Sequence, residues 1–445
     1  MPSSLRPSLL DRLSRIPPVI TFLPVLVFGI IVVFLFSKDT LIGDEGRYYD
    51  FAHNLTKGFY SPPAPDINLV SGWGYPIFLA PFAALGAPLI AWRFLNAVMF
   101  YVAAIFFYKA VRVLFNPKQS FVISWVVWLP MMYLNRHLQF LYSENITMLF
   151  ICAVIYTVVR AFAKKDMRIK DLILPAATIA YLIWVKVIFA YVMLILIIVG
   201  AVFWAFVRKK EVGYAALLPL MALVFAMPYA IYTFNLTGKF FYWSNWTGDN
   251  RYWMTTTVEG EWGGWKNHEN VTHPVHREFF DSISHLKGVE YDEAVRAKAS
   301  ENIRNHPKKF FMNWTANVQR LFFNFPFGRR KQKPMFLWIP SLFIVPLSVL
   351  MIIPTLRVLR FMPLGIVALL AMEAVYLAGS TMASVNIRMY HPTIPILGIW
   401  LAYMFVHFIR FEIPKPEVTA APDARPHSLN GQAHENEPIL EEQQW

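Results

Sequence analysis

The sequence predicts an all-α protein that crosses a membrane many times. Of its 445 residues 56% are hydrophobic and only 16% charged, and apolar runs long enough for a helical crossing recur along the chain. Soluble domains carry roughly 25% charged residues, and a mean hydropathy of +0.42 would leave an apolar surface in water. A bilayer core takes roughly 20 apolar residues per helix.

The elements follow in order. Arg6, Arg12 and Arg15 precede an apolar stretch from 18 to 37. That stretch is long for a signal peptide and lacks a small-x-small cleavage site, so it reads as a first span entered from the cytosol. Further spans are expected at 89–115, 119–135, 144–163, 171–185, 187–207, 213–235, 336–356, 361–380 and 391–410, about ten in all. With a cytosolic start, the short cytosolic loops hold Lys109, Arg112 and Lys118, then Lys164, Lys165, Arg168 and Lys170, then Arg208, Lys209 and Lys210, then Arg357 and Arg360. This is the basic bias that cytosolic loops carry. Much of the net charge of +13 is thereby assigned to loops and anionic lipid, and nucleic acid is not expected as a partner. Residues 1–410 form the membrane domain, with extracytosolic loops at 38–88 and 236–335, and 411–445 reads as a disordered cytosolic tail. The single cysteine, Cys152, sits in an apolar run and reads as a small buried hydrophobe.

In the first loop, Tyr48, Phe51, Ala52, Leu55 and Phe59 recur at helical spacing, predicting an interfacial helix with Asp44 and Glu45 at its start. Two roles are open to that pair: capping the helix and matching its dipole, or chemistry at the headgroup boundary. The segment SGWGYPIFLAPFAALG, 71–86, is too broken to span and is expected to pack on the bundle.

DEGRYYDFAHNLTKGFY followed by GWGYPIFLAPFAALG resembles the first-loop signature of the GT-C membrane glycosyltransferases, in the branch of protein O-mannosyltransferases and lipid A aminoarabinose transferases. PYAIYTFNLTGKFFYWSNWTGDN (228–250) and RMYHPTIPILGI (388–399) resemble later stretches of the same family. The resemblance implies a GT-C-like fold and an inverting enzyme that moves a sugar from a polyprenyl-phosphate donor to an acceptor hydroxyl of a glycan, lipid or protein. By matching the family's Asp-Glu pair, Asp44 is the expected general base and Glu45 its orienting partner. The compact loops suggest a bacterial inner membrane, with the active site on the extracytosolic side.

A polyprenyl phosphate is already a good leaving group, so the reaction lacks a base for the acceptor and positive charge for the phosphate. Glu144, at the start of the fourth span, is a candidate for substrate binding; beside Ser143 it could equally be a helix-start carboxylate. Arg47, Arg93, Lys186, Arg251 and Arg388, with His391, are the phosphate candidates. Lys186 lies in a very apolar stretch and must snorkel or meet an anion, and Arg388 with His391 could serve only as an interface anchor. GWGYP lacks the lysine that the aminoarabinose transferases carry before this segment, which leaves the phosphate ligands to other positions.

In the large loop, HENVTHPVH holds His268, His273 and His276 at a spacing unlike metal ligands on one helical face, with Pro274 between. They read as solvated loop residues, with a divalent metal ion as the minority reading. Residues 304–333 are basic and aromatic and read as an interfacial grip on anionic headgroups. A lipid-linked saccharide transporter or flippase, or a polysaccharide ligase or polymerase, would use the same lipid. A transporter calls for charge along the middles of several spans, where only Lys186 is ambiguous.

Overall fold

The computed structural model describes residues 8–134, 136–323 and 339–409. Among them are α1 Leu9–Leu13, α2 Pro18–Thr21, α3 Leu23–Phe36, α4 Glu45–Thr56, α5 Gly74–Ala84, α6 Leu89–Leu114, α7 Pro117–Leu134, α8 Ser143–Phe162 and α9 Ile173–Val185. There follow α10 Ile188–Val207, α11 Lys210–Thr237, α12 Thr247–Met254, α13 Pro274–Ser282, α14 Gly288–Asn305, α15 Pro307–Phe323, α16 Ile339–Val358, α17 Leu364–Thr381 and α18 Ile394–His407. The chain is an all-α polytopic membrane protein. The expected tail 411–445 lies outside the described residues, as do Phe325, Phe327, Arg329, Arg330, Lys331 and Lys333 of the basic segment.

Among the described residues seven helices are long and apolar enough to cross a bilayer: α6, α8, α10, α11, 342–361, α17 and 387–407. The ten expected spans are therefore not reached by that measure among the described residues. The expected first span breaks at Phe22 and Pro24 into a one-turn α2 and a 14-residue α3. At 1.5 Å per residue α3 covers only about 20 Å of a roughly 30 Å core. The fifth expected span yields a 13-residue α9. The third, α7, has the length but begins with Pro117, Lys118, Gln119 and Ser120, which lower its apolar content.

α8 is the centre of the bundle, with 78% of its apolar window buried, whereas α16, at 6%, lies at the periphery. α8 packs against α6 and α9, α6 against α3, and α10 against α11 and α17. Phe34, Phe206 and Leu350 stand exposed on the outer helices, as a lipid-facing surface requires.

The first loop forms the expected interfacial helix α4, and the segment expected only to pack on the bundle forms a second helix, α5. α4 buries Tyr48, Phe51 and Ala52, and just past its end the chain turns away at Gly58, whose φ of +87° suits glycine. Phe59 therefore falls beyond the helix and is exposed. α5 packs on α4 and α9, and the glycines of GWGYP have a steric reason. A Cβ at Gly72 would lie 2.0 Å from the Trp184 carbonyl oxygen, and one at Gly74 would lie 2.7 Å from the Val185 nitrogen. The first loop thus seats directly on the end of α9, beside Lys186.

The large loop carries α12 to α15. Tyr252, Trp253, Phe280, Ile283, Val295 and Ala299 form a small hydrophobic core of its own.

Candidate active site

Asp44 and Glu45 are adjacent in sequence and face different surroundings. Glu45 is fully buried and forms a two-pronged pair with Arg93, Nε to Oε1 and Nη2 to Oε2, both at 3.0 Å. Its oxygens also accept the Ile42 and Leu141 amides at 2.8 Å each. Arg93 in turn donates to the Lys38 and Thr40 carbonyls. Every strong partner of both groups is inside the protein, so the pair fastens the loop of 38–45 to α6 and to the start of α8. Neither side chain is presented to a ligand, and the positive charge of Arg93 is already matched.

Asp44 occupies the N-cap position of α4, but its side chain caps nothing. Its carboxylate instead meets Arg388 Nη2 at 2.6 Å and Arg47 Nη2 at 3.3 Å, and remains about a third exposed. Arg388 Nε lies 3.8 Å from Glu144 Oε1, and that same oxygen bonds Lys186 Nζ at 2.9 Å. The Arg388 guanidinium stands over the ring of Tyr142, 5.0 Å from its centroid. Three cations face two carboxylates, leaving one net positive charge on a partly open surface.

Helix termini place these groups. Glu144 is in the first turn of α8, and Ser143 beside it is the first helical residue, Tyr142 standing at the cap position. Lys186 is not inside a span but at the break between α9 and α10, where the backbone turns extended. Arg388 sits on the turn Ile387–Met389 ahead of α18. The N-terminal ends of α4, α8 and α10 therefore supply these groups and favour an anion, while the C-terminal end of α9, capped by Lys186, works against it.

The turn carrying Arg388 is held from two sides. Tyr376 of α17 donates to the Met389 carbonyl at 3.0 Å, and Thr393 donates to Glu373 at 2.6 Å. Asn317 of α15 donates to the Thr381 and Ala383 carbonyls and accepts the Val385 amide. His391 is buried beside this turn rather than open to solvent. Arg251 is exposed on α12, and among the described residues no side-chain bond joins it to the cluster.

Glu373, Tyr142 and Asn317 were not among the residues singled out from the sequence. Glu373 carried a signal, being the lone acid of an apolar span; the middles of the expected spans are not free of charge. Tyr142 and Asn317 become legible only once the helix ends are brought together.

Below the cluster, an apolar cavity of about 250 Å³ runs between α8, α9, α10, α11 and α17. Met193, Val199 and Phe203 line it from α10, and Leu369 and Met372 from α17.

In the large loop the structure corrects the reading of His276 and of Arg320, while His273 is exposed as expected. Pro274 does not interrupt a helix but opens α13, where its missing N–H costs nothing. His276 is buried, its Nδ1 2.8 Å from the Tyr252 hydroxyl and its Nε2 2.9 Å from Glu261. Burial pushes the Glu261 carboxyl up, but hydrogen bonds from His276, Lys266 and Thr256 outweigh it and hold the group at about 2. Arg320 is likewise buried, donating to the Trp262 and Gly263 carbonyls and to Asn317 rather than reaching headgroups. Lys308 and Phe311 of the same basic segment are exposed.

Among the described residues no group of three His, Cys, Asp or Glu side chains could hold a metal ion. Asp44 and Glu144 of the cluster are each bonded to cations.

No family model matches the sequence, and no curated protein matches it. Among solved structures the chain is similar to ArnT from Cupriavidus metallidurans bound to undecaprenyl phosphate, at 14% identity and a TM-score of 0.40, covering 85% of this chain and 76% of that one. The apo state of the same protein gives 14% and 0.39. The archaeal oligosaccharyltransferase AglB from Archaeoglobus fulgidus, in complex with an inhibitory peptide and a dolichol-phosphate, gives 12% identity and a TM-score of 0.46, covering 86% of this chain and half the length of AglB. These are distant likenesses, and what the site can do rests on its own residues.

Proposed function

We propose that the chain is an inverting glycosyltransferase that takes a sugar from a polyprenyl-phosphate donor and passes it to an acceptor hydroxyl, with Asp44 as general base. The observation that carries this reading is the cluster of Asp44, Arg47, Arg388, Glu144 and Lys186 where the helix ends meet.

The donor is a phosphodiester with one negative charge, which the net positive charge of the cluster complements. Arg388 and Lys186 are placed to take the phosphate, Glu144 holding the two cations side by side. When the phosphate draws Arg388, Asp44 keeps only Arg47 and can turn to the acceptor. The acceptor oxygen then forms its bond to the anomeric carbon as the bond from that carbon to the phosphate oxygen breaks. The hydroxyl proton passes to Asp44, and the departing polyprenyl phosphate gains a second negative charge that Arg388 and Lys186 stabilise. No general acid is needed. The apolar cavity beneath suits a prenyl tail by its lining. The basic loops at the other ends of the helices support an extracytosolic site, and the short loops a bacterial inner membrane.

Incubating the purified protein with a panel of polyprenyl-phosphate sugars and crude envelope acceptors, followed by mass analysis, tests the activity. Absence of sugar transfer from every donor would sink the reading. A transporter of the same lipid would place charge along several spans. Glu373 is one such residue, yet its bond to Thr393 ties it to the turn that carries Arg388.

A further inference from the structure

We propose that a second pocket, between the first loop and the large loop, binds a neutral carbohydrate and so makes the acceptor a glycan. This rests on the glycosyltransferase reading for the word acceptor, but not for the binding itself. The pocket, about 290 Å³, is lined by Asp66, Asn68, Asn245, Trp246, Lys287 and Tyr291 among its residues.

Its walls are built before any ligand arrives. Asn245 is buried and accepts the Leu69 amide at 2.8 Å while donating to the Ile67 carbonyl at 2.7 Å, so the large loop fixes the shape of residues 67–69. On the other side Gly288, with φ of +53°, comes so close that a Cβ there would lie 2.6 Å from the Pro65 carbonyl oxygen. Tyr291 is anchored by donating to Asp249 at 3.3 Å. Such anchoring leaves little ordering to be done on binding.

The lining then selects the chemistry. Asp66 and Lys287 pair with each other at 2.9 Å at the exposed mouth, cancelling their charges and disfavouring a strongly ionic ligand. Asn68, whose carbonyl oxygen accepts the Val70 amide, retains an amide donor, and Trp246 is half-buried with a flat apolar face and one N–H. An aromatic face for the C–H side of a sugar ring, beside amide and carboxylate groups for its hydroxyls, is the complement of a saccharide rather than of an acyl chain or a phosphopeptide. The chain ties the pocket to the reactive cluster: Val70, which lines it, stands two residues before Gly72, and Gly72 packs on the carbonyl of Trp184, two residues before Lys186.

The test is saturation-transfer NMR on the full chain in lipid nanodiscs, with cellobiose, lactose, maltose, chitobiose and methyl α-mannoside as probes. At least one sugar should receive saturation, and the signal should fall fivefold or more in both Trp246→Leu and Asn68→Ala while persisting in Asp44→Asn. Asn68→Ala, a change at a partly exposed loop side chain, keeps the test decisive if Trp246→Leu does not fold. No transfer to any of the five sugars, or transfer unchanged in the folded variants, overturns the proposal. The readout needs no turnover, so a failed sugar pocket and a failed general base are told apart.

Discussion

The surroundings of Glu45 and of Asp44 are two ways of holding a carboxylate, one residue apart. Around Glu45 every lone pair is occupied: two arginine nitrogens and two backbone amides converge on it, and no water or ligand is needed. Around Asp44 the partners are two arginines that are themselves partly exposed, and the carboxylate keeps about a third of its surface. The sealed arrangement resists change, because separating it strands a buried charge. The open one can exchange partners at little cost, because surface ion pairs are worth little individually. A motif of two acids therefore divides into one residue that builds the site and one that is free to act in it.

The largest effect should come from breaking the sealed pair. Arg93→Ala leaves Glu45 buried and unmatched, and a loss on the order of 3–5 kcal/mol is expected. It should show as collapsed yield and a lowered unfolding temperature in detergent. An Arg93→Ala protein as stable as the parent would make Glu45 and Arg93 a functional pair instead. Asp44→Asn is the counterpart. It should fold normally, since the side chain caps nothing, but lose on the order of 10²-fold in turnover while still binding donor. Near-parental turnover would move the base to Glu144.

This division marks how far the sequence could be read. The pattern of apolar runs located α6, α8, α10, α11, α16, α17 and α18 to within a few residues, because the period and length of a helix in lipid are local properties. The interfacial α4 was legible for the same reason. Asp44, Arg47, Glu144, Lys186 and Arg388 were legible as charges next to span ends, where desolvation makes an idle charge costly. Their partners were not. Nothing near Arg93 in the sequence announces Glu45, 48 positions earlier, and so a structural cation read as a phosphate ligand. His276 read as solvated because its loop is polar, whereas the loop encloses a core of its own that buries it. The count of ten is not confirmed: α3 and α9 are too short and α7 starts too polar to meet the length and composition of a crossing helix by themselves.

A smaller effect is expected from one cation of the open cluster. Lys186→Gln removes one charged contact to Glu144 and one proposed contact to phosphate, each of a kind worth roughly 1.5–3 kcal/mol. With Arg388 still in place, KM for the donor should rise about tenfold and kcat should change less. Steady-state kinetics at varied donor concentration separate the two. A drop in kcat alone, with KM unmoved, would place Lys186 outside donor binding.

The smallest effect tests a third carboxylate, intermediate between the other two. Asp249 is as buried as Glu45, but only one of its oxygens is served, by Tyr291, and Oδ2 has no hydrogen bond. Burial pushes its carboxyl up to about 6, the nearby Asp292 adding to the shift against the Tyr291 bond. An unfolded aspartate titrates near 3.9. Between about pH 4 and 6 the folded form therefore holds more protons than the unfolded one, and this group makes stability fall as pH rises through that window. Glu261 works in the other direction and lower down. Its carboxyl is held at about 2, so the stability it contributes is present above about 4.5 and is lost only as pH falls towards 2. Asp292, also raised by burial, adds a slope of the same sign as Asp249. Asp249→Asn keeps an acceptor for Tyr291 and removes the charge. At pH 4 the variant and the parent should be alike, and at pH 7 the variant should be more stable by on the order of 1 kcal/mol. Hydrogen exchange of residues 247–305, corrected for the intrinsic effect of pH, reads this locally. Protection in the variant that stays equal to the parent at pH 7 would mean that Oδ2 is satisfied when the protein is in its membrane, and the unserved carboxylate would then belong with the sealed one.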